Sequence, residues 1–333
     1  MPTIITKKYD ENLLDFSQVK GQYAVKRALE IAAAGNHNAL LIGPPGSGKS
    51  MLAKRITSIL PEMTFEEVID TTKIHSIAGI LDPSSPLISQ RPFRAPHHTV
   101  SSVGLSGGGS IPRPGEISLA HNGVLFLDEL SEFSRATLET LRQPLEENKI
   151  TIARVQSTLT YPCSVMLIAA TNPCPCGYFG HPTKPCTCSA AAISRYLSKI
   201  SGPMLDRMDL HIDVPPVDFE NLSSKTVPES SSEIRKRVNK ARKIQVDRYK
   251  SLSIKSNANL PSHLIKEVCN TTDRADAVLK KAFEKMQLSA RGYDKILKIA
   301  RTIADLDDCA DVDAKHIAEA VQYRSLDRKY WNR

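Results

Sequence analysis

The run GPPGSGKS, from Gly43 to Ser50, constrains this chain more than any other feature. It fits GxxxxGK[ST], a pattern that works through backbone geometry. Glycines let consecutive N–H groups wrap a phosphate, and the helix that follows aims its positive end at it. The surroundings suit this reading: ALLI before it reads as a buried strand, and the stretch from Ser50 to Leu60 reads as a helix closed by Pro61. Lys49 is placed to reach β- and γ-phosphates and Ser50 to ligate Mg²⁺. ATP and Mg²⁺ are therefore expected, with Gly43, Pro44, Pro45, Gly46, Ser47, Gly48, Lys49, Ser50 and Met51 as the ATP-binding run.

Hydrolysis also needs a metal-holding acid and a group that orients water. The apolar run VLFL, 124–127, ends in Asp128 and Glu129, which suit those two roles in turn. A further apolar run, VMLIAA, ends in Thr171 and Asn172. The Asn172 amide could lie beside the γ-phosphate; taken alone, it better suits a turn before Pro173.

Other elements fall into place around these. Residues 20–35 have helical spacing, with Val25, Leu29 and Ala32 on one face; 66–80 and about 134–147 also read as helices. Residues 81–114 form an excursion rich in Pro and Gly, and 149–162 alternates as a hairpin would. Pro215-Pro216 marks a boundary and 221–232 a linker, beyond which helices are expected at 232–249, 261–269, 272–288, 291–306 and 313–323. The fold class expected is α/β: a parallel sheet flanked by helices over 1–222, then a smaller all-helical domain over 223–333. In the basic helix 235–250, Val238, Ala241 and Val246 are expected to turn inward.

No apolar run reaches the length of a membrane span, and the opening segment MPTIITKKYDENLLDF lacks the apolar core of a secretory signal. The chain reads as cytoplasmic with no membrane partner, and its seven cysteines suit a reducing compartment. Net charge is +8, which permits polyanionic partners without showing one.

GPPGSGKS, FLDE, AATNP and MLDRMD, in that order, resemble the Walker A, Walker B, sensor 1 and arginine-finger segments of AAA+ ATPases. The longer strings RAPHHTVSSVGLSGGGSIPRPGEISLAHNGVLFLDEL, NPCPCGYFG and ISGPMLDRMDLHIDVPPV are similar to the ComM (YifB) family, related to the magnesium-chelatase ATPase subunit. The resemblance covers nearly the whole chain. It implies a P-loop core with β-hairpin insertions and a helical lid. It also implies Arg207 as an arginine finger lent to a neighbouring subunit, Arg291 as sensor 2 (Arg301 on the same helix is the alternative), and Val19 and Gln22 near the adenine. On residues alone, a local salt bridge from Arg207 to Asp206 or Asp209 is the favoured reading. A finger acting in trans implies a ring, most often a hexamer. Family members usually carry an N-terminal domain resembling the Lon protease domain ahead of the ATPase, whereas this sequence starts almost at the ATPase.

The relatives' two hairpin insertions face a ring pore; here they would fall within 88–114 and at 149–161. Arg91, Arg94 and Arg113 in the first and Lys149 and Arg154 in the second are the expected DNA contacts, and His97 and His98 could reach phosphate. Each of these arginines could instead tie down a loop. Aromatic residues are scarce in both hairpins, which favours backbone tracking over base stacking. The function implied is a ring-shaped DNA motor acting on single-stranded and branched DNA, with helicase or branch-migration activity in natural transformation and homologous recombination. The alternatives are a protein-remodelling ATPase, as in magnesium chelatase, and a nucleotide-dependent assembly module for a missing N-terminal domain.

Cys174, Cys176, Cys186 and Cys188 form CxC-x9-CxC in a loop with Gly177, Gly180, Pro182 and Pro185. Four thiolates can complete a structural zinc site, with His181 able to replace one; four reduced thiols in a turn-rich loop are the alternative. Cys163, Cys269 and Cys309 read as packing.

Overall fold

The computed structural model describes residues 14–109, 112–153, 158–218, 220, 223, 228–252, 254–326 and 330–331. Five strands form its central sheet: β1 (Ala39–Ile42), β2 (Phe93–Arg94), β5 (Val124–Leu127), β8 (Met166–Thr171) and β9 (Leu210–Asp213). Their order is β2-β5-β8-β1-β9, and every neighbouring pair is parallel. β1, β5 and β8 are buried along their whole lengths, which explains their unbroken apolar sequences: both faces of the sheet are covered. Along β1, Ala39 and Leu41 belong to one apolar cluster and Leu40 and Ile42 to the other, the two-residue alternation of a pleated strand.

The first cluster also holds Val25, Leu29 and Ala32 of α1 (Tyr23–Gly35), as the sequence indicated. It continues without a break into the C-terminal helices α10 (Ser231–Arg248), α11 (Ile265–Val268), α12 (Asp273–Met286), α13 (Ala290–Leu306) and α14 (Ala314–Gln322) through residues such as Ile234, Val238, Ile296, Ile299 and Ile317. The helical region thus shares its core with one face of the sheet. In α10 Val238 and Ala241 are buried, but Val246 is 53% exposed and Gln245 takes the inward place, donating to the Ala34 carbonyl at 3.1 Å. The helical period carries 238, 241 and 245 inward and leaves 246 a further step round the cylinder.

Several elements follow directly from local chemistry. α2 (Lys49–Arg55) leaves the P-loop and tightens into a 3-10 turn at Ile56–Ser58 before Pro61. α3 (Phe65–Ala78) begins with a capping box between Thr64 and Glu67 and ends on Gly79. The helix expected at 134–147 is two, α6 (Arg135–Glu139) and α7 (Arg142–Glu147). Pro144 accounts for the break: its ring obstructs the carbonyl four residues back, at Thr140, so the chain restarts with proline in a first turn.

The excursion between α3 and β5 contains the edge strand β2, α4 (Ser102–Ser106), a short antiparallel hairpin of β3 (Gly107–Gly108) and β4 (Arg113–Pro114), and α5 (Glu116–Leu119). A second hairpin pairs β6 (Lys149–Ala153) with β7 (Thr158–Pro162), from Lys149 opposite Pro162 to Ala153 opposite Thr158. The two hairpins touch. The Tyr161 hydroxyl donates to the Pro112 carbonyl at 3.1 Å, and Ile152 lies against Gly107.

Candidate nucleotide site

In an open parallel sheet, ligands bind outside the carboxyl ends of the strands. β1 lies between β8 and β9, and the P-loop leaves its carboxyl end. Asp128 follows β5 and Asn172 follows β8, so three strand ends converge there. Gly46 and Gly48 take φ of +76° and +90°, conformations that L side chains resist. Space around Gly46 is open, while a Cβ on Gly43 would lie 2.2 Å from the Val214 carbonyl.

The Lys49 ammonium donates to the carbonyls of Gly43 (2.7 Å) and Pro44 (2.8 Å) and to Asn172 Oδ1 (3.1 Å). Burial pulls it down to about 8, against the attraction of Asp128 and Glu129. The Ser50 hydroxyl donates to Asp128 Oδ2 at 2.6 Å. A hydroxyl and a carboxylate held this close form the oxygen donor pair that Mg²⁺ takes beside phosphates, so these residues fit the ion that the P-loop implies. Glu129 stands at φ +52° with its carboxylate 58% exposed, its Oε2 3.5 Å from His98 Nδ1. The sequence offered His98 as a DNA phosphate contact; the fold sets it beside Glu129. Glu129, Asn172, Arg195, Tyr196 and Lys199 line an open groove of about 480 Å³. Arg195 and Tyr196 belong to α8 (Ala190–Leu197) and Lys199 follows it, a segment that no motif had flagged.

Gln22 adopts φ +56° at the start of α1 and donates to the carbonyls of Pro215 (2.7 Å) and Ser47 (3.4 Å), tying the lead-in segment to the P-loop. Its Oε1 and the Ser47 hydroxyl are buried without a hydrogen-bond partner among the described residues, as polar atoms at a ligand site can be. Val19 is 1% exposed and belongs to the core, while Met51 is 40% exposed on α2. Pro44 is buried and Pro45 exposed.

Arg207 lies elsewhere. Its loop joins α9 (Gly202–Leu205) to the amino end of β9, where its carbonyl accepts from Asn38, the residue just before β1. It is thus a strand's length from its own P-loop, roughly 13 Å at about 3.3 Å per residue. Its guanidinium donates to Glu146 (2.5 Å) and to the carbonyls of Pro203 (2.6 Å) and Arg142 (3.2 Å). The local salt bridge is therefore to α7, not to Asp206 or Asp209. Arg291 is 70% exposed at the start of α13, 3.9 Å from Asp206, so it stands on the same side as Arg207. One turn on, Lys295 bonds Asp209 Oδ1 (3.1 Å), the Met208 carbonyl (2.8 Å) and the Asp206 carbonyl. Burial alone would raise the Asp209 carboxyl, yet Lys295 and His37 hold it far below the usual range. Arg301 is 1% exposed and closes the turn after its helix through the carbonyls of Cys309 and Ala310, which removes it as a sensor.

The basic residues expected at DNA divide. Arg91 donates to the carbonyls of Pro61, Asn122 and Glu62 and to the Glu67 carboxylate, and Arg94 makes a two-pronged bond to Glu116 at 2.7 Å. Both guanidiniums are committed to anchoring loops, the alternative the sequence left open. Arg113 and Lys149 are exposed on the hairpins, with Lys149 3.8 Å from Glu147. Arg154 lies outside the described residues.

The four clustered cysteine sulfurs all lie within 4.8 Å of one another. Burial pushes the Cys174 thiol up, and the Tyr178 N–H pulls Cys176 down. Cys163 and Cys269 are buried, and Cys309 is half-buried.

The sheet order, the P-loop and the acids at its rim define an AAA+ α/β core, here followed by a helical region. The profile of the magnesium chelatase ChlI subunit matches residues 15–222, and that of the ChlI C-terminal region matches 228–324. The chain is 46% identical over 319 residues to the competence protein ComM of Haemophilus influenzae, covering 96% of this chain and 61% of ComM. It is 45% identical over 316 residues to the uncharacterized protein YifB of Escherichia coli, covering 94% and 61%. Against the uncharacterized protein Rv2897c of Mycobacterium tuberculosis it is 41% identical over 317 residues, covering 94% and 62%. This chain belongs to the ComM-like, magnesium-chelatase-like family of AAA+ proteins. It spans about three-fifths of the length of these relatives.

Proposed function

We propose that the chain is the ATP-hydrolysing module of a ring-forming, hexameric DNA motor of the ComM type, with helicase or branch-migration activity in natural transformation and homologous recombination. One observation carries the ring: the P-loop, Asp128 and Glu129 stand at one end of the sheet, while Arg207 and Arg291 stand at the other. Those arginines cannot serve their own chain's phosphates, and a ring of copies would bring them to the next subunit's. Lys49 and the P-loop amides bind the phosphates, Ser50 and Asp128 hold Mg²⁺, Glu129 polarises the attacking water, and Asn172 positions it. Mg²⁺ held there would supply positive charge against the phosphate oxygens. Arg207 leaves Glu146 to offset charge in the neighbour's site, with Arg291 beside it.

The DNA reading is supported by the two hairpins packed side by side and by the exposed Arg113 and Lys149 on them. With Arg91 and Arg94 engaged elsewhere, Arg113, Lys149 and Arg154 remain as the DNA-contacting set. Six copies would place a collar of positive charge on a backbone-tracking surface. The relative named for competence points the same way. We also read the cysteine cluster as a structural zinc site. The test is ATP turnover with single-stranded, duplex and branched DNA at two salt concentrations. Stimulation by DNA, weakened by salt, is expected. Turnover indifferent to all three, with no salt-sensitive binding, would overturn the DNA motor and favour the protein-remodelling alternative that the chelatase kinship allows.

A further inference from the structure

We propose that the zinc site held by Cys174, Cys176, Cys186 and Cys188 is a strut of the P-loop, so that metal occupancy sets nucleotide affinity. This rests on the zinc reading above and adds a role to it. The donor geometry comes first. Cys174 Sγ is 3.3 Å from Cys176 Sγ and 3.7 Å from Cys186 Sγ, and the last two are 3.6 Å apart. A tetrahedron with Zn–S bonds of about 2.3 Å has edges of about 3.8 Å, so these separations suit one ion at the centre. The Phe179 N–H donates to Cys174 Sγ at 3.3 Å, an outer-shell bond of the kind that orients a metal thiolate.

The loop then meets the nucleotide site at three points. Gly177, one residue past Cys176, turns the chain at φ +82° and lies against Pro45 in the P-loop; a Cβ there would come within 2.4 Å of Pro45 Cδ. Asn172, two residues before Cys174, accepts from Lys49 at 3.1 Å. Pro175, between the first two cysteines, lines the groove shared by Glu129 and Asn172. At its far end the loop passes from Cys188 to Ser189, whose hydroxyl caps α8 and so fixes where Arg195 and Tyr196 enter that groove. Glycine and proline leave this loop little regular structure of its own. Four thiolates on one ion would hold it rigid where Gly177 meets Pro45.

The experiment has two arms. Zinc is measured in protein purified without chelators, and ADP affinity is measured by fluorescent-nucleotide titration for the wild type, for the double variant Cys186→Ser with Cys188→Ser, and for Gly177→Ala. About one equivalent of zinc is expected in the wild type and in Gly177→Ala, and little in the double variant. Both variants are expected to bind ADP at least about tenfold more weakly, because ångström-scale displacement of a positioning loop has effects of this size or larger. Gly177→Ala keeps all four thiols, so it reports on the Pro45 contact even if the cysteine variant fails to fold. Less than about a tenth of an equivalent of zinc in the wild type would overturn the zinc reading itself. Full zinc with unchanged ADP affinity in Gly177→Ala would leave that reading intact and overturn the strut.

Discussion

At the residue scale, the phosphate machinery was legible because its chemistry is local. GPPGSGKS specifies a backbone path, and the acids at the end of VLFL need only a parallel neighbour to meet Ser50. What the sequence could not show were contacts between segments far apart in the chain: His98 beside Glu129, Lys295 on Asp209, and Arg91 spent on carbonyls of two separate loops. A basic residue looks the same in sequence whether it faces DNA or a carbonyl. Lys49 yields a prediction at this scale. Burial lowers its pKa to about 8 in the chain alone, and phosphates beside it would restore the proton. Binding should therefore take up a proton above that pH, and ADP affinity should fall as pH rises through about 8 while staying level below it. Calorimetric titration in buffers of different ionisation enthalpy reads both effects; affinity that is flat up to pH 9.5 would contradict the assignment.

At the scale of elements, periodicity located most helices and the second hairpin, the family resemblance placed the first, and local breakers decided the exceptions. Pro144 divided a helix that apolar spacing alone had drawn as one, and α10 turned Gln245 rather than Val246 inward because Gln245 finds polar partners there, the Ala34 carbonyl and the Asn257 N–H. The start of α10 shows how strongly a cap can set a boundary. The Ser230 hydroxyl accepts from the Glu233 N–H while the Glu233 carboxylate accepts from the Ser230 N–H. This box overlaps the end of the segment the sequence read as a linker, and Ser231 within it joins Phe16 and Ser58. Ser230→Ala should cost about 1 kcal/mol of stability, the usual worth of such a cap, and denaturant titration would show it as a lower midpoint with unchanged slope. A change within about 0.2 kcal/mol would mean the helix end is held by its tertiary contacts instead.

At the scale of the whole molecule, the sheet sets the P-loop and its acids at one end and Arg207 and Arg291 at the other. The strand order alone does this, since β9 runs parallel to β1 with Asn38 and Leu210 at one end and Gly43 and Val214 at the other. Motif order in the sequence names the parts but holds no information on which end of a strand each occupies. The C-terminal helices reinforce the separation: Lys295 pins α13 to the Arg207 loop through Asp209, so Arg291 is carried to the same side as Arg207. The central claim, that each ATP site is completed by the next subunit, is tested most directly by co-expressing Glu129→Gln with Arg207→Ala and measuring ATP turnover of the mixed assemblies. Each variant alone should be nearly inactive. In an equal random mixture, about a quarter of the interfaces pair an intact Glu129 with an intact neighbouring Arg207, and turnover should recover accordingly if the arginine acts in trans. A mixture no more active than either variant alone would contradict the account.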